Sequence, residues 1–167
     1  MTQGRAPLRV GVISDTHGLV RPEALRALRG VDLVVHAGDI GAPDVLEALR
    51  EVAPVVAVRG NNDRGTWARA IPERVTHTVG KHRLHVLHDV KGLALDPAAA
   101  GVDVVIAGHS HKPSTVERDG VLFLNPGSAG PRRFTLPISV ATLTLGAGRP
   151  RARLITLDVA PGAARTG

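Results

Sequence analysis

Continuous apolar runs alternate with amphipathic stretches over the first sixty residues. Leu8–Ser14 (LRVGVIS) has the β-branched, uninterrupted character of a strand buried on both faces. Pro22 opens an amphipathic helix with Leu25 and Leu28 on one face, Arg26 and Arg29 flanking, and Gly30 closing it. Leu33–Ala37 reads as a second strand, and Pro43 starts a second helix through Val45, Leu46, Leu49 and Val52. Val55–Arg59 is the third strand. This order implies right-handed crossovers and a parallel sheet with both faces covered. From residue 74 onward, hairpin signals take over. Arg74–Val79 and His82–His88 flank Gly80-Lys81, and Thr115–Arg118 and Val121–Asn125 flank Asp119-Gly120. Asp103–Ala107 predicts a further buried strand, and Ser139–Leu145 with Ala152–Asp158 a last pair around the Gly146–Pro150 turn. The pattern predicts an α/β fold whose second half is largely antiparallel.

The 167 residues fit one domain over 1–167, with ends at 1–7 and 160–167 expected to fray. With no cysteine, disulfides, thiolate metal sites and a cysteine nucleophile are excluded. No apolar run approaches a membrane span, and Arg9 breaks the N-terminal apolar stretch before Asp15, so a soluble cytoplasmic protein without membrane contact is expected. The net charge of +6 sits mostly in residues 130–167, where six arginines face only Asp158. That raises the question of nucleic acid, yet Trp67, Phe123 and Phe134 are the only large aromatics, a poor supply of stacking platforms.

The chemistry gathers at strand ends. The five relevant strands run into Asp15-Thr16-His17-Gly18, Gly38-Asp39, Gly60-Asn61-Asn62-Asp63, His88-Asp89 and Gly108-His109-Ser110-His111. In open α/β sheets ligands bind beyond the carboxyl ends of strands, so these segments should converge. Asp15, His17, Asp39, Asn61, His88, His109 and His111 are oxygen and imidazole donors suited to Mn, Fe, Ni or Zn. They are too many for one tetrahedral ion; two ions fit if a carboxylate, most naturally Asp39, bridges them. Asp63 is read as a capping or supporting residue, and His36 as a structural residue orienting Asp39. His77, His82 and His85 are expected on the surface. Arg132 and Arg133 either grip a phosphate or are solvated charge. Phosphate-loop, H-E-x-x-H and G-x-S-x-G motifs do not occur.

The ordered blocks D-x-H, G-D, G-N-x-D, H and G-H-x-H, spanning Asp15–His111, resemble those of the calcineurin-like metallophosphoesterases. Asn125-Pro126-Gly127-Ser128 also resembles a segment of their compact bacterial and archaeal phosphodiesterase branch. The resemblance implies a two-sheet αββα sandwich of mixed parallel and antiparallel strands flanked by helices. It further implies two divalent ions, Mn2+ foremost, with Ni2+, Zn2+ or Fe as alternatives. Asp15, His17 and His111 would hold the first, Asn61, His88 and His109 the second, with Asp39 bridging. Asp39, Asn61, Asp63 and His88 would be the catalytic set, for in-line attack of a metal-bound hydroxide on a small phosphodiester. Asn62 departs from the family pattern, standing where many phosphomonoesterases carry a proton-donating histidine, and Asp89 stands in place of a glycine. Two rival readings are a protein-binding scaffold on the same fold, as in a eukaryotic sorting-complex subunit, and a nuclease on polymeric nucleic acid. Whether the protein forms a homo-oligomer is left open.

Overall fold

The computed structural model describes residues 6–159. The expected fraying ends therefore lie outside the described residues, apart from Ala6 and Pro7. The described residues form ten strands and three short α-helices: β1 (Leu8–Ile13), α1 (Pro22–Ala27), β2 (Leu33–His36), α2 (Pro43–Arg50), β3 (Val55–Ala57), α3 (Thr66–Arg69), β4 (Arg74–Val79), β5 (His82–Leu87), β6 (Val104–Ile106), β7 (Ser114–Arg118), β8 (Val121–Asn125), β9 (Ser139–Leu145) and β10 (Arg151–Thr156). A 3-10 turn covers Val90–Gly92. Both helices expected from the sequence begin on a proline, whose fixed φ suits a first helical turn.

Two five-stranded sheets pack face to face, ordered β10-β9-β1-β2-β3 and β4-β5-β6-β8-β7. The α/β sandwich of mixed strands is the fold expected. In the first sheet β1, β2 and β3 are parallel, as predicted, and β9 adds to the free edge of β1 antiparallel to it. The second sheet is less antiparallel than its hairpin signals suggest: β5, β6 and β8 pair in parallel, and only the flanking β4 and β7 run antiparallel. Strands that begin at one end of the sheet must all finish at the other, so parallel pairing gathers their carboxyl ends at one edge.

Alternation along the strands divides the core. Val10, Val12 and Val35 meet Leu84, Val86, Val104 and Ile106 between the sheets. Ile13, Val34 and Val140 pack the other way, against Leu28 of the first helical segment and Val45 and Leu49 of α2. The far face of the second sheet is covered by Leu93, Leu95 and Ala100 of the segment that follows the 3-10 turn. His82 and His85, expected on the surface, are buried. The ring of His82 contacts the Gly146 carbonyl through Nε2 at 2.9 Å, and His85 Nδ1 lies 2.8 Å from Thr76 Oγ1, so both find polar partners in the interior. Among the described residues no helix is long and apolar enough to cross a membrane.

Candidate metal centre

The loops after β1, β2, β3, β5 and β6 meet at one end of the sandwich. Their backbones are stitched together: Asp15 N–H donates to the Gly38 carbonyl at 2.9 Å, His17 N–H to Asp39 at 3.0 Å, and Gly108 N–H to His88 at 2.9 Å. Asp15, His17, Asp39, His109 and His111 all hold left-handed backbone angles, with φ of 55°, 48°, 54°, 70° and 63°. For residues with a side chain this conformation costs about 1 kcal/mol or more each and persists where the surroundings enforce it. Two glycines let the loops close up. A Cβ at Gly60 would overlap Asp39 Oδ1, and one at Gly108 would overlap Ser14 Oγ and crowd Asp15 Oδ2.

Asp15 Oδ1 lies 3.3 Å from His111 Nε2, 3.8 Å from His88 Nε2 and 4.0 Å from His17 Nε2. Asp39 Oδ2 lies 3.3 Å from His88 Nε2 and 3.8 Å from His17 Nε2. Two donor groups result, Asp15 with His17 and His111, and Asp15 with Asp39 and His88. Asp39 thus faces a histidine of each group, and Asp15 shares that central place. His109 reaches the second group through Nδ1, 3.3 Å from His88 Nε2. Asn61 is exposed and lines the adjoining cleft of about 270 Å3 together with Arg59, Arg74, His88, Asp89 and His109.

Divalent cations fit this donor set. Asp15 Oδ1 and His17 Nε2 are buried without a hydrogen-bond partner, an arrangement that costs roughly 1–3 kcal/mol per group when nothing else satisfies it. The buried carboxylates face imidazoles rather than lysine or arginine, and Asp and His donors together suit borderline divalent ions. His88 Nδ1–H donates to the Ala37 carbonyl at 2.8 Å, which orients the ring so that Nε2 points at the carboxylates, donating to Asp39 while protonated and open to a cation once deprotonated. Burial alone would raise the Asp39 carboxyl, but hydrogen bonds from His88 and Asn62 hold it well below the usual range. For His88 burial pulls downward, and the bonds to Asp39 and Ala37 prevail and raise it.

A ring of supporting residues holds the donors in place. Asn62 clamps Asp39 twice, with its backbone N–H on Oδ1 at 3.0 Å and its amide nitrogen on Oδ2 at 2.9 Å. The Asp63 carboxylate accepts from the N–H groups of Ile40, Gly41 and Gly60 at 2.9–3.0 Å. Its oxygens are occupied by backbone, so it ties the β2 and β3 loops together instead of facing the cleft. His36 accepts the Gly38 N–H on Nδ1 at 3.1 Å and sits 2.9 Å from Thr16 Oγ1 through Nε2; that hydroxyl donates to the Ile40 carbonyl, so Nε2 carries the proton. Complete burial pushes His36 down to about 3, and it is neutral.

Three supports escape a reading of the sequence. Arg21 is buried and donates to the carbonyls of Ala129 and Gly130 at 3.3 and 3.1 Å. Ser128 Oγ donates to the Asp15 carbonyl at 3.1 Å. Asn125 donates to the Gly108 carbonyl and to Ser110 Oγ, both at 3.0 Å. The Asn-Pro-Gly-Ser motif marks the last two, whereas nothing near Arg21 signals its burial. Arg132 and Arg133 lie exposed on the following loop, outside the donor cluster.

Fold and donor set together are those of a metallophosphoesterase. The chain belongs to the calcineurin-like phosphoesterase superfamily, whose domain model matches residues 8–148. It is 37% identical over 158 residues to the "probable metallophosphoesterase" of Methanothermobacter thermautotrophicus, covering 87% of this chain and 91% of that protein. Among solved structures it is similar to an archaeal phosphodiesterase, with a TM-score of 0.75 and 25% identity, covering 90% of this chain and all of that one. Vacuolar Protein Sorting 29 from Cryptosporidium parvum shares the fold, with a TM-score of 0.73 at 19% identity, covering 93% and 100% of the two chains. Proteins of this family use divalent metals, and the protein is a phosphoesterase by family.

Proposed function

We propose that the protein hydrolyses small phosphodiesters using two divalent ions, with Mn2+ the foremost candidate. The observation that carries this reading is the central Asp15–Asp39 pair, set between His17 and His111 on one side and His88 on the other. Ions bound there would polarise the phosphoryl group and acidify the attacking water. Asp15 and Asp39 supply the negative charge that offsets two cations, and Asn62 keeps Asp39 ionised and oriented. His88 is held by Ala37 with one nitrogen aimed at that pair. The Asn62 amide cannot deliver a proton to a departing alkoxide at neutral pH, which favours diesters with stable leaving groups. Likeness to the archaeal phosphodiesterase supports the same preference.

The test is turnover of bis(p-nitrophenyl) phosphate and p-nitrophenyl phosphate by purified protein reconstituted with Mn2+, Ni2+ or Zn2+, alongside metal analysis. The expected result is about two ions per chain and diester hydrolysis exceeding monoester hydrolysis. No metal-dependent turnover, or a preference for the monoester, overturns it. Well under one ion per chain would instead favour a scaffold role on the shared fold.

A further inference from the structure

We propose that the loop spanning 131–136 selects phosphodiesters that carry a nucleobase, with the base stacking on Phe134 and the phosphate pairing with Arg133. The inference rests on the phosphodiesterase reading above and names the substrate class.

The chain has only three large aromatic side chains. Trp67 packs against the core, and Phe123 is half-buried with the Arg118 guanidinium 5.6 Å from its ring centre. Among the described residues Phe134 alone is bare, 92% exposed, and no other large apolar side chain there exceeds 44%. Its backbone is left-handed at φ 53°, a conformation that bulky residues seldom adopt. Strain of this kind accumulates where surroundings and function require a side chain to be presented.

The loop is anchored to the donor cluster. Gly130 lies so close to the carbonyls of Asp15 and Thr16 that a Cβ there would overlap the first of them. Arg21 grips the carbonyls of Ala129 and Gly130 from beneath, and the Leu136 N–H closes the turn onto the Arg133 carbonyl at 3.1 Å. The loop is therefore placed by the same backbone that places Asp15. Arg132 and Arg133 are exposed and stand two and three positions beyond Gly130, on the stretch that Gly130 holds against Asp15. A cation that forks onto phosphate oxygens beside an uncovered ring matches a phosphate linked to a flat aromatic group.

Two substrates with the same leaving group separate the claims: thymidine 5′-(p-nitrophenyl) phosphate and methyl p-nitrophenyl phosphate. Stacking of one base on an aromatic side chain is worth roughly tenfold or more in affinity. The unmodified enzyme should therefore favour the thymidine ester by about tenfold in kcat/KM, mainly through KM. Phe134→Ala should erase that preference and leave the methyl ester and the thermal midpoint unchanged, and Phe134→Trp should keep it. Arg133→Ala should weaken both esters. A preference that survives Phe134→Ala, or an equal loss on both esters, overturns the proposal while leaving the phosphodiesterase reading intact. Calorimetric titration with thymidine 5′-monophosphate, with and without Mn2+, supplies a readout independent of turnover. If neither ester is hydrolysed, the phosphodiesterase reading fails, and nucleotide binding that does or does not depend on Phe134 then decides the role of the loop.

Discussion

Asp39 combines a left-handed backbone with a carboxylate clamped on both oxygens by Asn62. Asp39→Asn keeps the shape and removes the charge that two cations need between them. The expected outcome is an unchanged far-UV spectrum, fewer bound ions by elemental analysis, and at least about a 100-fold loss of activity. Asn62→His tests proton delivery: if the amide limits it, rates should fall steeply with rising leaving-group pKa in the unmodified enzyme, and the imidazole should flatten that dependence, with a gain of ~10-fold on poor leaving groups. A shallow slope before substitution would assign the proton to another group. His36 makes a pH prediction. Its value of about 3 in the folded chain lies below the ordinary 6.5, so the unfolded state binds the proton first as pH falls. The stability it contributes is complete above about 6.5 and is lost toward 3, on the order of 5 kcal/mol in all. In chelator-treated protein, urea unfolding between pH 7 and 4 should show a smaller loss for His36→Gln than for the natural chain, although the variant starts less stable.

At the scale of elements, the segment after β8 is a brace between loops. Asn125 ties it to Gly108 and Ser110, and Ser128 ties it to Asp15. Asn125→Ala should cost about 1–3 kcal/mol in chemical denaturation and weaken metal binding by roughly 10- to 100-fold, since supporting contacts of donors carry effects of that size. β1, β2 and β3 were legible because buried parallel strands are apolar throughout, and α1 and α2 because each opens on proline with hydrophobic residues at helical spacing. The hairpins at Gly80-Lys81 and Asp119-Gly120 were legible from turn chemistry. The parallel centre of the second sheet was not, because the link from β5 to β6 is a 3-10 turn and loop that leave no helical pattern to read. α3 is a single turn, too short for periodicity to register. The donors themselves stood out as short motifs. Asp63 and His36 were legible as supports, but Arg21 was not, since it and Gly130 are 109 positions apart in the chain and only folding joins them.

Across the whole molecule, the donors divide by sheet. Asp15, His17 and Asp39 follow strands of the first sheet, and His88, His109 and His111 follow strands of the second. Reconstitution with Mn2+ at 100 times its dissociation constant should stabilise the fold by about 2.7 kcal/mol, which for a chain of this size raises the thermal midpoint by roughly 5–10 °C; an unchanged midpoint would mean that the ion does not bind the folded chain. The layered core that fills the space between the sheets is apolar. An ion gripped from both sides would act as a rivet at one end of the pair. Hydrogen exchange in chelator should then show the two sheets opening as separate units, and in metal as one, with the slowing greatest at the riveted end and fading toward the Gly80 and Gly146 turns.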